Sequence, residues 1–198
     1  MRTRNLTQIV LLISAALFAG QSVQGQNVVP ATPRARPELN LQYSFVDSNA
    51  PPGGCGCFQL NGGSAGFAWP LKSSNFALAA DVSAGHACSI STTGNDLTLS
   101  TFLAGVRYTP RFRHSPFRFF GQVLAGGAHA SGSLISGSSA TSGGTAFAGM
   151  VGGGVNLRVS KRVLIKLVEV DYLPTTFSNG TNDHQNNLRL GAGVALAF

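Results

Sequence analysis

Three cysteines, Cys55, Cys57 and Cys88, are the side chains of this 198-residue chain best suited to covalent or metal chemistry. His86 stands two residues before Cys88, so an extended segment puts both on one face, and Cys55 and Cys57 share a face for the same reason. If the segments flanking residues 70–75 form a hairpin centred on that turn, Cys57 faces Cys88 directly. In an oxidising compartment the pair becomes a disulfide and leaves Cys55 over. A slip of two residues selects Cys55 instead. The competing reading is zinc, because three sulfurs and an imidazole make a suitable ligand set. An exposed rim is a poor cage, however, and oxidation competes for the thiolates.

Other constellations are weaker. His129-Ala130-Ser131 sets a base and a hydroxyl on one strand face, with Glu169 or Asp171 available to orient the base. His114 and His184 fall in turn and loop sequence, where solvation is the ordinary fate of histidine. Gly152-Gly153-Gly154 has neither the helix nor the lysine of a phosphate-binding loop. No catalytic, cofactor-binding or metal-dependent enzyme is expected.

The elements that must position these residues begin after residue 25. Arg2 and Arg4, an apolar run from Ile9 to Ala19 and the small-residue site Val23-Gln24-Gly25 read as a cleaved signal peptide. The run is too short to span a membrane as a helix, so a retained anchor is the lesser reading. Residues 26–37 are proline-rich and aperiodic, a short extended lead-in, and 38–198 form one domain. Charged residues are only 11% of the chain, less than half the usual share, while glycine reaches 25 residues. The net charge of +7 falls to +5 when Arg2 and Arg4 leave with the signal. The basic residues lie scattered in turns, so nucleic acid is excluded as a partner.

Within 38–198 a period of two recurs eight times, predicting strands at about 39–45, 58–69, 76–86, 96–108, 117–130, 145–159, 163–173 and 187–198. Connections after the second, fourth and sixth are short and basic. Those after the odd strands (47–57, 87–95, 131–144 and 174–186) are longer and rich in small polar residues. Trp69, Phe76, Tyr108, Phe112, Phe117, Phe119 and Phe198 fall at the short-turn ends; Phe45, Phe58, Tyr172 and Phe177 fall at the long-loop ends. Two aromatic girdles, an even strand count and alternating loop length together predict an all-β, eight-stranded antiparallel up-and-down transmembrane β-barrel in outer-membrane lipid. The competing architecture is a soluble β-sandwich, whose aromatics would pack a core.

A barrel of eight strands is just wide enough for side chains to fill. Asp81, Arg107, Arg158, Glu169, Asp171 and Arg189 are therefore expected to pair across the lumen, with a narrow solute or ion path as the alternative. In the fourth strand Leu97 and Leu99 run out of phase with Phe102, Ala104 and Val106, suggesting a bulge near Thr101. The phase of the seventh strand, and with it the place of Lys166, stays open.

The last thirteen residues, NNLRLGAGVALAF, put Leu188, Leu190, Ala192, Val194, Leu196 and Phe198 on one face and Arg189 on the other. This strand resembles the C-terminal targeting signal of bacterial outer-membrane barrels. KRVLIKLVEVDYLPTTF, a loop and NNLRLGAGVALAF look like the last hairpin of the eight-stranded outer-membrane β-barrel superfamily, which contains the OmpA membrane domain and OmpX. The resemblance implies a monomeric barrel delivered to the bacterial outer membrane, with Leu190, Val194, Leu196 and Phe198 read by the barrel-assembly machinery. It implies a structural or surface-interaction role and no specific activity. His129-Ala130-Ser131 is similar to the H-x-S pair of lipid A deacylases, which are also eight-stranded barrels, without the surrounding motif. That leaves a surface lipid hydrolase as a further alternative.

Overall fold

Alternating side chains become a wall with two chemistries. The computed structural model describes residues 36–48, 58–71, 75–88, 96–112, 115–132, 144–177 and 184–198. The predicted signal peptide, most of the lead-in, Cys55 and Cys57 lie outside the described residues. Eight strands follow one another: β1 (Glu38–Ser48), β2 (Phe58–Pro70), β3 (Phe76–Ala87), β4 (Leu97–Tyr108), β5 (Phe117–Gly132), β6 (Gly144–Arg158), β7 (Val163–Thr175) and β8 (Gln185–Ala197). Each pairs antiparallel with its sequence neighbours, and β1 pairs with β8 to close the barrel. Closure removes the open sheet edges that lipid would leave unsatisfied.

The outer wall is apolar. Leu41, Tyr43, Phe102, Val123, Phe147 and Val151 all stand more than half exposed on it. Aromatic pairs mark its short-turn end: Phe76 meets Tyr108 at 5.1 Å between ring centroids, and Phe112 meets Phe119 edge-on at 5.9 Å. Phe177 departs from the predicted girdle. It is buried beyond the end of β7 and packs into the barrel's apolar interior.

The lumen is layered. Toward the long-loop end Val46, Leu60, Leu97, Leu99, Leu103 and Met150 belong to one buried cluster, each Leu contributing about 1.5–3 kcal/mol by leaving water. Leu164, Ala195 and Ala197 form a second, small cluster at the short-turn end. Charged and amide side chains fill the space between. Glycine makes this filling possible: a Cβ on Gly66 would lie 2.6 Å from Asn40 Nδ2, and one on Gly191 would lie 2.9 Å from the Gln42 amide carbon.

Three details differ from the sequence reading. β4 pairs without a break against β3 and β5, so no bulge occurs at Thr101. Leu97 and Leu99 point inward in register with Thr101 and Leu103, because the lumen is apolar at that height. The irregularity lies in β7 instead. Lys166 pairs with Gly193 and Glu169 with Gly191, leaving Leu167 and Val168 together opposite Ala192. Finally, Asn61 pairs with His86 along β2 and β3. That register is two residues out of step with the one that sets Cys57 against Cys88.

Candidate functional site

The bulge in β7 creates the centre of the molecule. Strict alternation would place Lys166 and Glu169 on opposite faces, since they are three residues apart. Two successive outward residues, Leu167 and Val168, reset the phase so that both charges point inward. There the Lys166 ammonium pairs with Glu169, and Lys166 Nζ also donates to Asn40 Oδ1 at 3.2 Å.

Arg189 crosses the lumen from β8. Its Nη1 donates to Asp81 Oδ1 at 2.7 Å on β3, on a distant part of the wall. Its Nε and Nη2 reach Asp171 Oδ2 at 3.0 and 2.8 Å, and Nη2 reaches Glu169 Oε1 at 3.1 Å. Glu169 Oε1 also accepts from Gln42 Nε2 at 3.1 Å and Gln122 Nε2 at 3.3 Å. Gln122 Oε1 in turn accepts from Arg107 Nε and Nη2 at 3.1 and 2.8 Å. The Phe120 ring lies beneath two cations, 4.5 Å from Arg107 Cζ and 5.3 Å from Lys166 Nζ.

The arithmetic of charge is closed. Asp81, Glu169 and Asp171 are matched by Arg107, Lys166 and Arg189, all buried. Glu38 and Arg118 form a further ion pair between β1 and β5. Removing such charges from water costs several kcal/mol each, and mutual attraction with multiple hydrogen bonds offsets that cost. The arrangement ties β1, β3, β4, β5, β7 and β8 together across the lumen. Its fully buried groups, capped by the apolar cluster, leave the centre of the lumen filled rather than open.

Of the six charges expected in the lumen, Asp81, Arg107, Glu169, Asp171 and Arg189 come together. Arg158 does not: it is exposed at the end of β6, outside the buried cluster. The place of Lys166, left open by the sequence, is in the lumen, while Gln42, Gln122 and Phe120 were missed. The in-phase run Phe120, Gln122, Leu124 was a usable signal for the β5 members, whereas Lys166 required the bulge.

The remaining predicted residues that the structure describes lie on the outside. His129 is exposed, and its Nδ1 meets Thr145 Oγ1 at 3.2 Å. Glu169 and Asp171 face the opposite side of the wall and are committed to Arg189, so neither orients His129. Ser131 is exposed two residues along β5. Leu190, Val194, Leu196 and Phe198 form an exposed stripe on β8 and its end, and the Phe198 N–H donates to the Pro37 carbonyl at 3.0 Å. Cys88, just past β3, is an exposed free thiol.

No protein-family model matches the sequence, and no curated protein matches it. Solved structures do match. Neisserial surface protein A is 16% identical, with a TM-score of 0.62 over 82% of this chain and 97% of that one. Ail, the attachment invasion locus protein of Yersinia pestis, is 14% identical, with a TM-score of 0.49 over 81% and 99%. The outer membrane enzyme PagL is 15% identical, with a TM-score of 0.41 over 79% and 99%. Likeness at these identities shows the fold, which is that of the eight-stranded outer-membrane β-barrels.

Proposed function

We propose that this chain is a non-conducting, non-enzymatic barrel of the bacterial outer membrane, with a structural role in the wall and a surface-interaction role at its long-loop end. The observation that carries this reading is the neutral ion cluster centred on Arg189, lying below an apolar layer in the same lumen. A solute path through an eight-stranded barrel needs continuous polar width, and the lumen gives its cross-section to packed side chains. Export follows from the signal peptide read in residues 1–25, and insertion from recognition of the last strand by the assembly machinery. The barrel works as a monomer.

The test is conductance. Purified protein in planar bilayers is expected to give no discrete current steps. Steps that weaken when Arg107 or Arg189 is replaced would establish a small channel instead. Fatty-acid release from outer-leaflet lipid that Ser131→Ala abolishes would overturn the non-enzymatic half. His129 lacks a carboxylate orienter in the luminal acids proposed for it, so no release is expected.

A further inference from the structure

We propose that His86, Cys88 and Asp96 form a binding site for a borderline divalent cation, zinc by preference, on the outer rim of the barrel. The three flank the connection from β3 to β4. One ligand atom from each lies within 4.8 Å of the others. His86 pairs with Thr98 across the two strands, and its Nδ1 is 2.9 Å from Thr98 Oγ1. That hydrogen bond is independent of the cluster itself. It fixes the ring and turns Nε2 toward Asp96 Oδ2, 4.0 Å away. An oriented imidazole with its second nitrogen held by a polar neighbour is the usual arrangement of a metal-binding histidine.

The spacing decides between contacts. At 4.0 Å the imidazole and carboxylate are too far apart for a hydrogen bond. A tetrahedral zinc ion with bonds of about 2.0–2.3 Å sets its ligand atoms roughly 3.3–3.8 Å apart, which small rotations of exposed side chains reach. Thiolate, imidazole and carboxylate together select zinc over calcium or magnesium, which take oxygen sets. Three protein ligands leave a fourth position for water or an outside donor. Cys88 is an exposed free thiol among the described residues. A free thiol beside His86 and Asp96 is a ligand.

The test uses the refolded protein in detergent micelles, with cobalt(II) as a spectroscopic substitute for zinc. One equivalent is expected to produce near-ultraviolet thiolate charge-transfer and intense visible bands, both bleached by added zinc. Cys88→Ser should abolish the charge-transfer band, His86→Ala should weaken binding at least tenfold, and Cys55→Ser/Cys57→Ser should retain the band. Thr98→Val, which removes the orienting hydroxyl, should weaken binding ~10-fold. Each variant is first shown to be folded by different migration of unheated and boiled samples. Absence of a thiolate band overturns the proposal, as does a band that survives Cys88→Ser. Finding only one reactive thiol of three under denaturing, non-reducing conditions, with Cys88 unlabelled, overturns it equally.

Discussion

An arginine without solvent exposure must be matched by carboxylates, and Arg189 faces three of them. Its removal strands Asp81, Asp171 and much of Glu169 as unpaired anions in a closed space. Arg189→Met is therefore expected to cost about 3–5 kcal/mol of unfolding free energy, because the partners remain buried without it. Arg158→Met, at the exposed end of β6, is expected to change stability by less than about 0.5 kcal/mol. Urea unfolding followed by fluorescence of Trp69, the only tryptophan, measures both. Equal effects would sink the distinction between the buried cluster and the rim. The sequence made most of this cluster legible, since five of its charges sit on the face opposite an apolar stripe. It misplaced Arg158 because phase alone does not tell a mid-lumen position from a strand end. Phe177 was misplaced for the converse reason: an aromatic beyond a strand end can turn into the core as readily as onto the wall.

Strands were legible where alternation was unbroken. β8 reads as a strand from Leu188 to Phe198 because no residue interrupts the period, and its exposed face matches that reading. β7 was legible as a strand but not in its phase, because Lys-Leu-Val-Glu breaks the period and its resolution depends on neighbours that hold Lys166 against Gly193 and Glu169 against Gly191. β4 misled in the opposite direction: inward leucines looked like a phase break under the expectation that lumens are polar. The bulge makes a sharp deletion test. Losing Val168 removes the extra residue and leaves Lys166, Glu169 and Asp171 inward, so the barrel should still form. Losing Val170 instead also removes the extra residue, but regular alternation then turns Val168 into the lumen and Glu169 onto the lipid face. That variant should fail to give a heat-shifted band, while the Val168 deletion should keep one. Loss of the folded band in both deletions would contradict the assigned bulge.

At the scale of the whole molecule, the outer wall is apolar, and the proposed role of the final residue in delivery has a direct test. Phe198 is exposed and touches the barrel through its backbone N–H to Pro37. Phe198→Ala should lower the amount of folded protein recovered from cell envelopes, yet leave refolding from urea into detergent unchanged. Equal loss in both settings would assign Phe198 to stability rather than to recognition by the assembly machinery. The seam itself has a consequence in time. Glu38 pairs with Ala197 and Ser48 with Asn187, so the first strand waits for the last. Until the thirteen residues of β8 pair with β1, a folding chain carries two unpaired edges and must meet the entropy of joining its ends before that contact rewards it. The period of greatest exposure to proteases and to other chains therefore ends only when the last strand meets the first.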